Sequence, residues 1–125
     1  KKLAQYGGQV KCYMAEEEVA AEARKRGVTR ASVSMEHAAA DIAISGRRTI
    51  FAIGNAPTAL ITLRNMYDEK RFTPDFIIGV PVGFVNVVEA KELIAETDIP
   101  YIINRGRKGG SNVAAAIVNA LLYGM

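Results

Sequence analysis

Three glycine-containing stretches of this 125-residue chain have residue types that suit the binding of an anion. The most pronounced runs from Asn104 to Ser111 and places basic side chains directly before two adjacent glycines. Its candidate ligand-binding residues are Arg105, Arg107, Lys108, Gly109, Gly110 and Ser111. Glycine lets the backbone approach a ligand closely, and guanidinium and ammonium groups add positive charge. One interpretation is an anion clamp; the other is a solvated basic turn that leads into a helix.

The stretch Gly54–Ala59 carries two polar side chains, Asn55 and Thr58, on either side of a proline. Asn near a helix start and Pro57 in its first turn are ordinary capping residues. The same residues could contact a ligand, because the free N–H groups and the positive dipole end of a helix N-terminus favour anions. Both interpretations stay open at this point.

The third stretch, Gly79–Val85, contains glycine and proline residues that fix a tight turn. Gly83 supplies conformational freedom there, and Phe84 either covers an apolar ligand face or packs against the following helix. Further upstream, Thr29 and Arg30 open a predicted helix. Arg30 either points at an anion beside the helix N-terminus or is a solvated residue next to a capping Thr.

Short apolar runs alternate with helix-length segments and must position these stretches. The predicted strands are Gln9–Met14, Thr49–Ile53, Phe76–Ile78 and Pro100–Ile103. The predicted helices are Glu16–Arg26, Thr29–Ser45, Pro57–Lys70, Phe84–Glu96 and Ser111–Tyr123. Strands that alternate with helices pair in parallel, so the sequence predicts one α/β domain over residues 1–125. Ligands bind outside the carboxyl ends of such strands, and all three glycine stretches should therefore share one edge of the sheet.

Apolar patterning indicates where the core lies. Thr49–Ile53 and Phe76–Ile78 are nearly continuous apolar runs, as expected of strands that are buried on both faces. The last predicted helix contains Val113–Val118, which is apolar nearly all round. This pattern predicts that the helix is buried, either in the core of this domain or against another subunit.

His37 is the only histidine, so it is considered as an acid or a base. It lies with Asp41 on the polar side of the predicted helix Thr29–Ser45. A solvated pair of helix residues is the favoured interpretation over a catalytic dyad. The apolar stripe of this helix is Ala31, Met35, Ala38, Ala39 and Ile42, and the opposite side is Arg30, Ser34, His37 and Asp41.

Composition excludes several classes of protein. The single cysteine, Cys12, excludes an internal disulfide framework and a four-cysteine zinc site, and no metal constellation is found. The net charge of +3 is not a nucleic-acid signature. No apolar run approaches the roughly 20 residues of a membrane span. We expect a cytoplasmic protein that binds neither nucleic acid nor a membrane.

The motifs together resemble those of the precorrin-8X methylmutase family, the precorrin isomerases of cobalamin biosynthesis. The resemblance begins near Gly8 and continues to the C-terminus. Thr29-Arg30 stands where the family has a Thr-Arg motif. The other matching segments are Gly54–Leu60, Gly79–Val85 followed by Glu89–Lys91, and Arg105–Ser111.

This resemblance implies a flavodoxin-like three-layer α/β sandwich, a homodimer, and active sites near the subunit interface. It implies an isomerase that moves a methyl group from C-11 to C-12 of the corrin ring without a separate cofactor. The substrate would be precorrin-8X, giving hydrogenobyrinic acid, or cobalt-precorrin-8, giving cobyrinic acid.

A flat apolar ring edged with carboxylates suits a crevice rimmed by helix N-termini, glycine-rich turns and basic side chains. In this interpretation the side chains of Arg30, Arg105, Arg107 and Lys108 bind the carboxylates. Backbone N–H groups near Asn55–Thr58 and Gly109–Ser111 assist. The predicted substrate-binding residues are Thr29, Arg30, Asn55, Thr58, Gly83, Phe84, Arg105, Arg107, Lys108, Gly109, Gly110 and Ser111.

The resemblance places the family's catalytic histidine in an N-terminal segment that has no counterpart here, and His37 does not occupy that position. We therefore assign no catalytic role to His37 and interpret the start at Lys1-Lys2 as a truncation. One alternative function is a tetrapyrrole-binding protein that has lost turnover with that segment. The other is a flavodoxin-like module that binds a phosphate or nucleotide.

Overall fold

The computed structural model describes residues 16–83, 86–104 and 108–123. In these ranges, helices cover both faces of a three-stranded parallel sheet. In chain order the elements are α1 (Glu17–Arg26), α2 (Arg30–Ser45), β1 (Ile50–Ile53), α3 (Pro57–Asp68), β2 (Phe76–Gly79), α4 (Val87–Ala95), β3 (Tyr101–Ile103) and α5 (Ser111–Tyr123). The predicted strand Gln9–Met14 lies outside the described residues.

The parallel register brings the carboxyl ends of the described strands to one edge. Ile53 of β1 is opposite Gly79 of β2, and Gly79 is opposite Ile103 of β3. The strand order β1-β2-β3 follows the chain, with a helix between successive strands. The predicted α/β fold is confirmed, and the three glycine stretches leave the sheet at the same edge.

The layers are held by two apolar clusters on opposite faces of the sheet. On one face, residues of α2, α3 and α4 pack around Ile77. Leu60, Leu63 and Ile94 are fully buried members of this cluster. On the other face, Ala114 of α5 packs on Ile78 and Val80. This arrangement is the predicted three-layer sandwich.

The first helix packs against α2 through an apolar cluster of its own, formed by Val19, Ala23 and Val33. This contact buries part of the side of α2 that lies opposite its apolar stripe. Ser34 is 1% exposed and its hydroxyl donates to the carbonyl of Arg30 at 2.7 Å. The sequence predicted the core-facing stripe of α2, but a second buried face follows from the position of α1.

Burial differs from prediction at β1 and α5. Ile50 is 56% exposed and Ala52 is also exposed, so β1 is buried on one face in the described part of the chain. On α5, Ala114 is buried, whereas Val113 and Leu121 are exposed. In the described residues the domain core therefore covers only one side of α5, and the predicted burial against another subunit stays a prediction. Its contact with the sheet uses one side, and its small alanine side chains leave a shallow depression beside Ala52.

Backbone conformation explains the shifted ends of two helices. α4 begins at Val87 rather than at residue 84, and Gly83 and Asn86 before it have positive φ values of 144° and 62°. These values lie outside the right-handed helical region. α3 ends at Asp68, and Lys70 beyond it has a φ of 60°. Pro57 stands at the start of α3, as predicted.

Candidate functional site

Backbone hydrogen bonds join the loops at the carboxyl ends of the strands into one surface. The N–H of Val80 donates to the carbonyl of Ile53 at 2.9 Å, and that of Val82 donates to Gly54 at 3.3 Å. From the third loop, the N–H of Gly110 donates to the carbonyl of Val80 at 2.8 Å. The loop after β2 is therefore fixed to both of its neighbours.

Gly109 allows the closest of these approaches. A Cβ at this position would lie 2.1 Å from the carbonyl oxygen of Val80, and the φ of Gly109 is +153°. Gly110 has a φ of +118°. The sequence predicted that these glycines allow close approach to a ligand. The structure shows that Gly109 allows close approach to the loop after β2.

Hydroxyl groups connect the start of α2 with the start of α3. Thr29 is the N-cap of α2, and its Oγ1 accepts from the N–H of Ser32 at 3.1 Å. The same oxygen lies 3.3 Å from Oγ1 of Thr58. Ser32 in turn accepts from Thr62 of α3 at 2.9 Å. Thr29 and Thr58, predicted separately as site residues, are thus in contact, and the exposed Arg30 follows directly.

The N-cap of α3 is Ala56, which supplies no side-chain hydrogen bond. The capping interpretation of Asn55 is therefore wrong, because the cap falls one residue later. The Asn55 side chain is exposed at the surface near the joined loops. The first N–H groups of α3 receive no side-chain cap, and they retain the capacity to bind an anion.

Two side-chain donors, the buried Lys91 and the half-buried Asn104, meet at the carbonyl of Lys108. Nζ of Lys91 donates to it at 3.0 Å, and Nδ2 of Asn104 donates to it at 2.6 Å. Lys91 is only 2% exposed, and this burial lowers the pKa of its ammonium group. Sequence reasoning named both residues but gave neither a role. The available signal was that Lys91 falls at helical spacing among Val87, Ala90 and Ile94 on the apolar face of α4.

Comparison with known proteins decides the family. The sequence profile described as precorrin-8X methylmutase matches residues 1–124 of the chain. The chain belongs to the precorrin-8X methylmutase family. The predicted resemblance is therefore confirmed over nearly the whole sequence.

Individual relatives in the precorrin-8X methylmutase family agree closely with this chain. Cobalt-precorrin-8 methylmutase of Salmonella typhimurium (strain LT2) is 46% identical over 123 residues, which are 97% of this chain and 54% of the relative. The Priestia megaterium protein of the same name is 44% identical over 121 residues, which are 97% of this chain and 52% of the relative. The chain spans about half the length of these curated relatives.

A solved structure of the family has the same fold. Precorrin-8X methylmutase from Thermus thermophilus matches with a TM-score of 0.79 and 35% sequence identity. The match covers 98% of this chain and 57% of the Thermus chain. The arrangement of strands and helices described above is therefore that of a precorrin-8X methylmutase.

The predicted site residues of this family member fall into two groups. Those in the described ranges border the joined loops or the start of α2: Thr29, Arg30, Asn55, Thr58, Gly83, Lys108, Gly109 and Gly110. Ser111 is the first residue of α5. The assignments of Phe84, Arg105 and Arg107 lie outside the described residues.

His37 lies in the contact between α1 and α2. Its Nε2 is 2.9 Å from Oε1 of Glu22, and Arg26 also pairs with Glu22 at 2.6 Å. The hydrogen bond from His37 and then that from Arg26 lower the pKa of Glu22. The imidazole of His37 thus has a partner on α1 that the sequence did not predict.

Two further findings concern the described ranges as a whole. No three His, Cys, Asp or Glu side chains within residues 16–83, 86–104 and 108–123 are grouped so that they could hold a metal ion. None of the helices in these ranges combines the length and apolar character needed to cross a membrane.

Proposed function

We propose that this chain forms the corrin-binding part of an isomerase that moves a methyl group from C-11 to C-12 of the ring. The substrate is precorrin-8X or its cobalt-containing counterpart, and the product is hydrogenobyrinic or cobyrinic acid. The observation that carries this proposal is the single surface made by the hydrogen-bonded loops after β1, β2 and β3. Membership of the precorrin-8X methylmutase family supports it.

The chemistry of that surface fits a flat ring edged with carboxylates. Arg30 and Lys108 are exposed, so both can form charge-assisted hydrogen bonds with carboxylates. Helix N-termini follow the loops and add backbone N–H donors near Asn55–Thr58 and at Gly109 and Ser111, whereas the N–H of Gly110 is used by the carbonyl of Val80. On the basis of their sequence positions, we assign the same carboxylate-binding task to Arg105 and Arg107.

The apolar part of the ring requires a different kind of contact. We assign Gly83 and Phe84 to the loop that faces the ring, because this segment follows β2 at the centre of the described sheet. Thr29 and Thr58 contribute hydroxyl groups where α2 and α3 meet. A site of this type holds the ring by its face and its carboxylates together.

The reaction is an intramolecular rearrangement, so its atoms balance without a second substrate. The tasks of the protein are to position the ring, to provide a proton and to exclude water. The described residues perform the first task. His37 is not assigned as the proton donor, because its imidazole is engaged with Glu22 in the contact between α1 and α2.

We further propose that the protein is a cytoplasmic homodimer. The exposed apolar side chains Ile50 of β1, Val113 of α5 and Leu121 of α5 support association through that face. The single cysteine of the sequence leaves no internal disulfide to maintain, which suits a reducing compartment.

Incubation of the chain with precorrin-8X, followed by absorption spectroscopy, tests the proposed corrin binding. We expect the absorption spectrum of the corrin to shift on binding, and a parallel incubation with cobalt-precorrin-8 establishes which of the two ring systems is bound. The H37A variant should bind the substrate with the wild-type affinity. No spectral shift with either substrate would contradict the proposed function, and weaker binding by H37A would contradict the position given to His37.

A further inference from the structure

Lys91 places a positive charge where the fold otherwise buries apolar side chains. It lies on the buried face of α4 with Val87, Ala90 and Ile94, and it is 2% exposed. Removing an ammonium group from water is costly, and an apolar side chain of similar length would fill the same space without that cost. The charge therefore needs a specific partner, and the carbonyl of Lys108 is one.

The carbonyl of Lys108 receives a second donor from the other end of the same loop. Asn104 directly follows β3, and its Nδ2 donates to this carbonyl at 2.6 Å. Because a carbonyl oxygen accepts through two lone pairs, Lys91 and Asn104 together satisfy it. The first contact ties the loop to α4, and the second joins its two ends.

The backbone immediately after Lys108 has little room to move. Gly109 lies so close to the carbonyl of Val80 that no side chain fits, and the N–H of Gly110 donates to the same carbonyl. The position of the Lys108 carbonyl therefore fixes the direction in which the chain enters this tightly packed segment. A shift there would be transmitted to the Lys108 side chain and to the start of α5.

We propose that Lys91 and Asn104 are positioning residues that hold the carbonyl of Lys108 and thereby fix where Lys108, Gly109 and Gly110 lie in the loop between β3 and α5. Neither side chain contacts the substrate. Their effect on ligand affinity rests on the proposed function, which assigns the loop to the corrin carboxylates. Their effect on the loop itself does not depend on that function.

Amide hydrogen exchange tests the positioning of the loop without any ligand. Lys91→Met keeps the length of the side chain but removes its charge, and Asn104→Ala removes the second donor. Both variants should accelerate exchange at the N–H of Gly110 about tenfold, which corresponds to about 1.4 kcal/mol. The N–H of Val80, which donates to Ile53, should exchange at the wild-type rate. The exposed Lys25→Met and Asn112→Ala are matched controls.

Unchanged exchange at Gly110 in both variants would overturn the proposal. Equal acceleration at Gly110 and Val80 would also overturn it, because the effect would then be global.

Absorption titration with hydrogenobyrinic acid tests the ligand step. Both variants should bind about tenfold more weakly than the wild type. Wild-type affinity in the variants would overturn the link between loop and ligand. Failure of the wild-type chain to bind would overturn the proposed function instead, while the exchange result would still decide the positioning role.

Discussion

Gly109 shows why a glycine-rich sequence motif has a structural as well as a functional meaning. Its lack of a side chain allows the loop after β3 to lie against the carbonyl of Val80. Sequence reasoning predicted that glycine was needed here, because its position between a basic run and a helix favours close backbone approach. It could not identify the neighbour, since Val80 is distant in sequence and meets Gly109 only through the parallel sheet.

The substitution Gly109→Ala should destabilise the fold strongly. Its Cβ would lie 2.1 Å from a backbone oxygen, which cannot move away as a flexible side chain can. Gly27→Ala is the matched control, because its φ is +69° but no atom lies within 4 Å of the added Cβ. We expect a loss of about 1 kcal/mol for the control, from backbone strain alone. Chemical denaturation should show a several-fold larger loss for Gly109→Ala, and equal losses would contradict the close approach.

Lys91 is the residue whose structural role the sequence analysis missed most clearly. Its motif was recognised, but Lys at an apolar helix position was given no role. The helical spacing of Val87, Ala90, Lys91 and Ile94 already implied that one charge faces the core. Its partner could not be predicted, because the carbonyl of Lys108 reaches α4 only after the chain has passed through β3.

Among the elements, the sequence predicted strand β2 and the core-facing apolar side of α2 well. It did not predict the contacts between helices. Alternating apolar runs predicted the parallel strands, and the stripe of α2 led correctly to its core-facing side. The contact of α1 with α2 had no local signal. As a result, His37 was interpreted as one of a solvated pair and Ser34 was only placed opposite the apolar stripe, whereas Ser34 is buried and His37 pairs with Glu22.

Helix and strand ends depend on backbone geometry that composition does not reveal. The φ of Asn86 is +62°, and α4 begins one residue later. At β1, the apolar run predicted burial on both faces, but α5 leaves Ile50 exposed. Apolar character therefore predicted that these segments are strands and helices, while their degree of burial depends on what packs against them.

The pairing of α1 with α2 should make stability depend on pH on the acid side. The pKa of Glu22 is lowered in the folded protein by His37 and then by Arg26, whereas in the unfolded chain it is about 4.3. Between these two values the unfolded chain binds more protons, so stability is lost as the pH falls through this window. Glu22→Gln removes this titration and should be less stable than wild type at neutral pH.

Thermal unfolding from pH 7 to pH 3 measures this difference. The Tm of the wild type should fall more steeply below about pH 5 than that of Glu22→Gln. Glu18→Gln, an exposed substitution on the same helix, is the matched control and should follow the wild-type profile. Parallel profiles for wild type and Glu22→Gln would show that the contact with His37 and Arg26 adds nothing to stability.

At the scale of the whole molecule, the described residues form a complete three-layer arrangement with one incompletely covered face. The loops that carry the family motifs meet at one edge of the sheet, while Ile50, Val113 and Leu121 leave apolar surface exposed. The sequence predicted both features in outline: the shared edge from strand topology, and burial of α5 against a core or another subunit. The domain core covers only one side of α5 in the described ranges, and burial of its other side against another subunit stays a prediction.

The proposed association predicts a concentration-dependent dimer in analytical ultracentrifugation. Leu121→Glu places a charge on the exposed side of α5 and should shift the protein to monomers. Ile44→Glu is the matched control, since Ile44 is 87% exposed on α2 and away from that helix. A wild-type chain that sediments as a monomer at tens of micromolar would contradict the association, and dissociation by Ile44→Glu would contradict its location.

The central claim is that the loops at the carboxyl ends of β1, β2 and β3 form a site for a corrin polycarboxylate. Absorption titration of hydrogenobyrinic acid with the wild-type chain, Arg30→Ala and Arg48→Ala tests it most directly. Arg48 is another exposed arginine, which precedes β1 at the opposite end of the strand. We predict that the wild type binds one corrin per chain saturably. Arg30→Ala should lower the affinity about tenfold, because a charge-assisted hydrogen bond is lost. Arg48→Ala should leave the affinity unchanged. No spectral change with the wild type, or equal affinities for wild type and Arg30→Ala, would contradict the account.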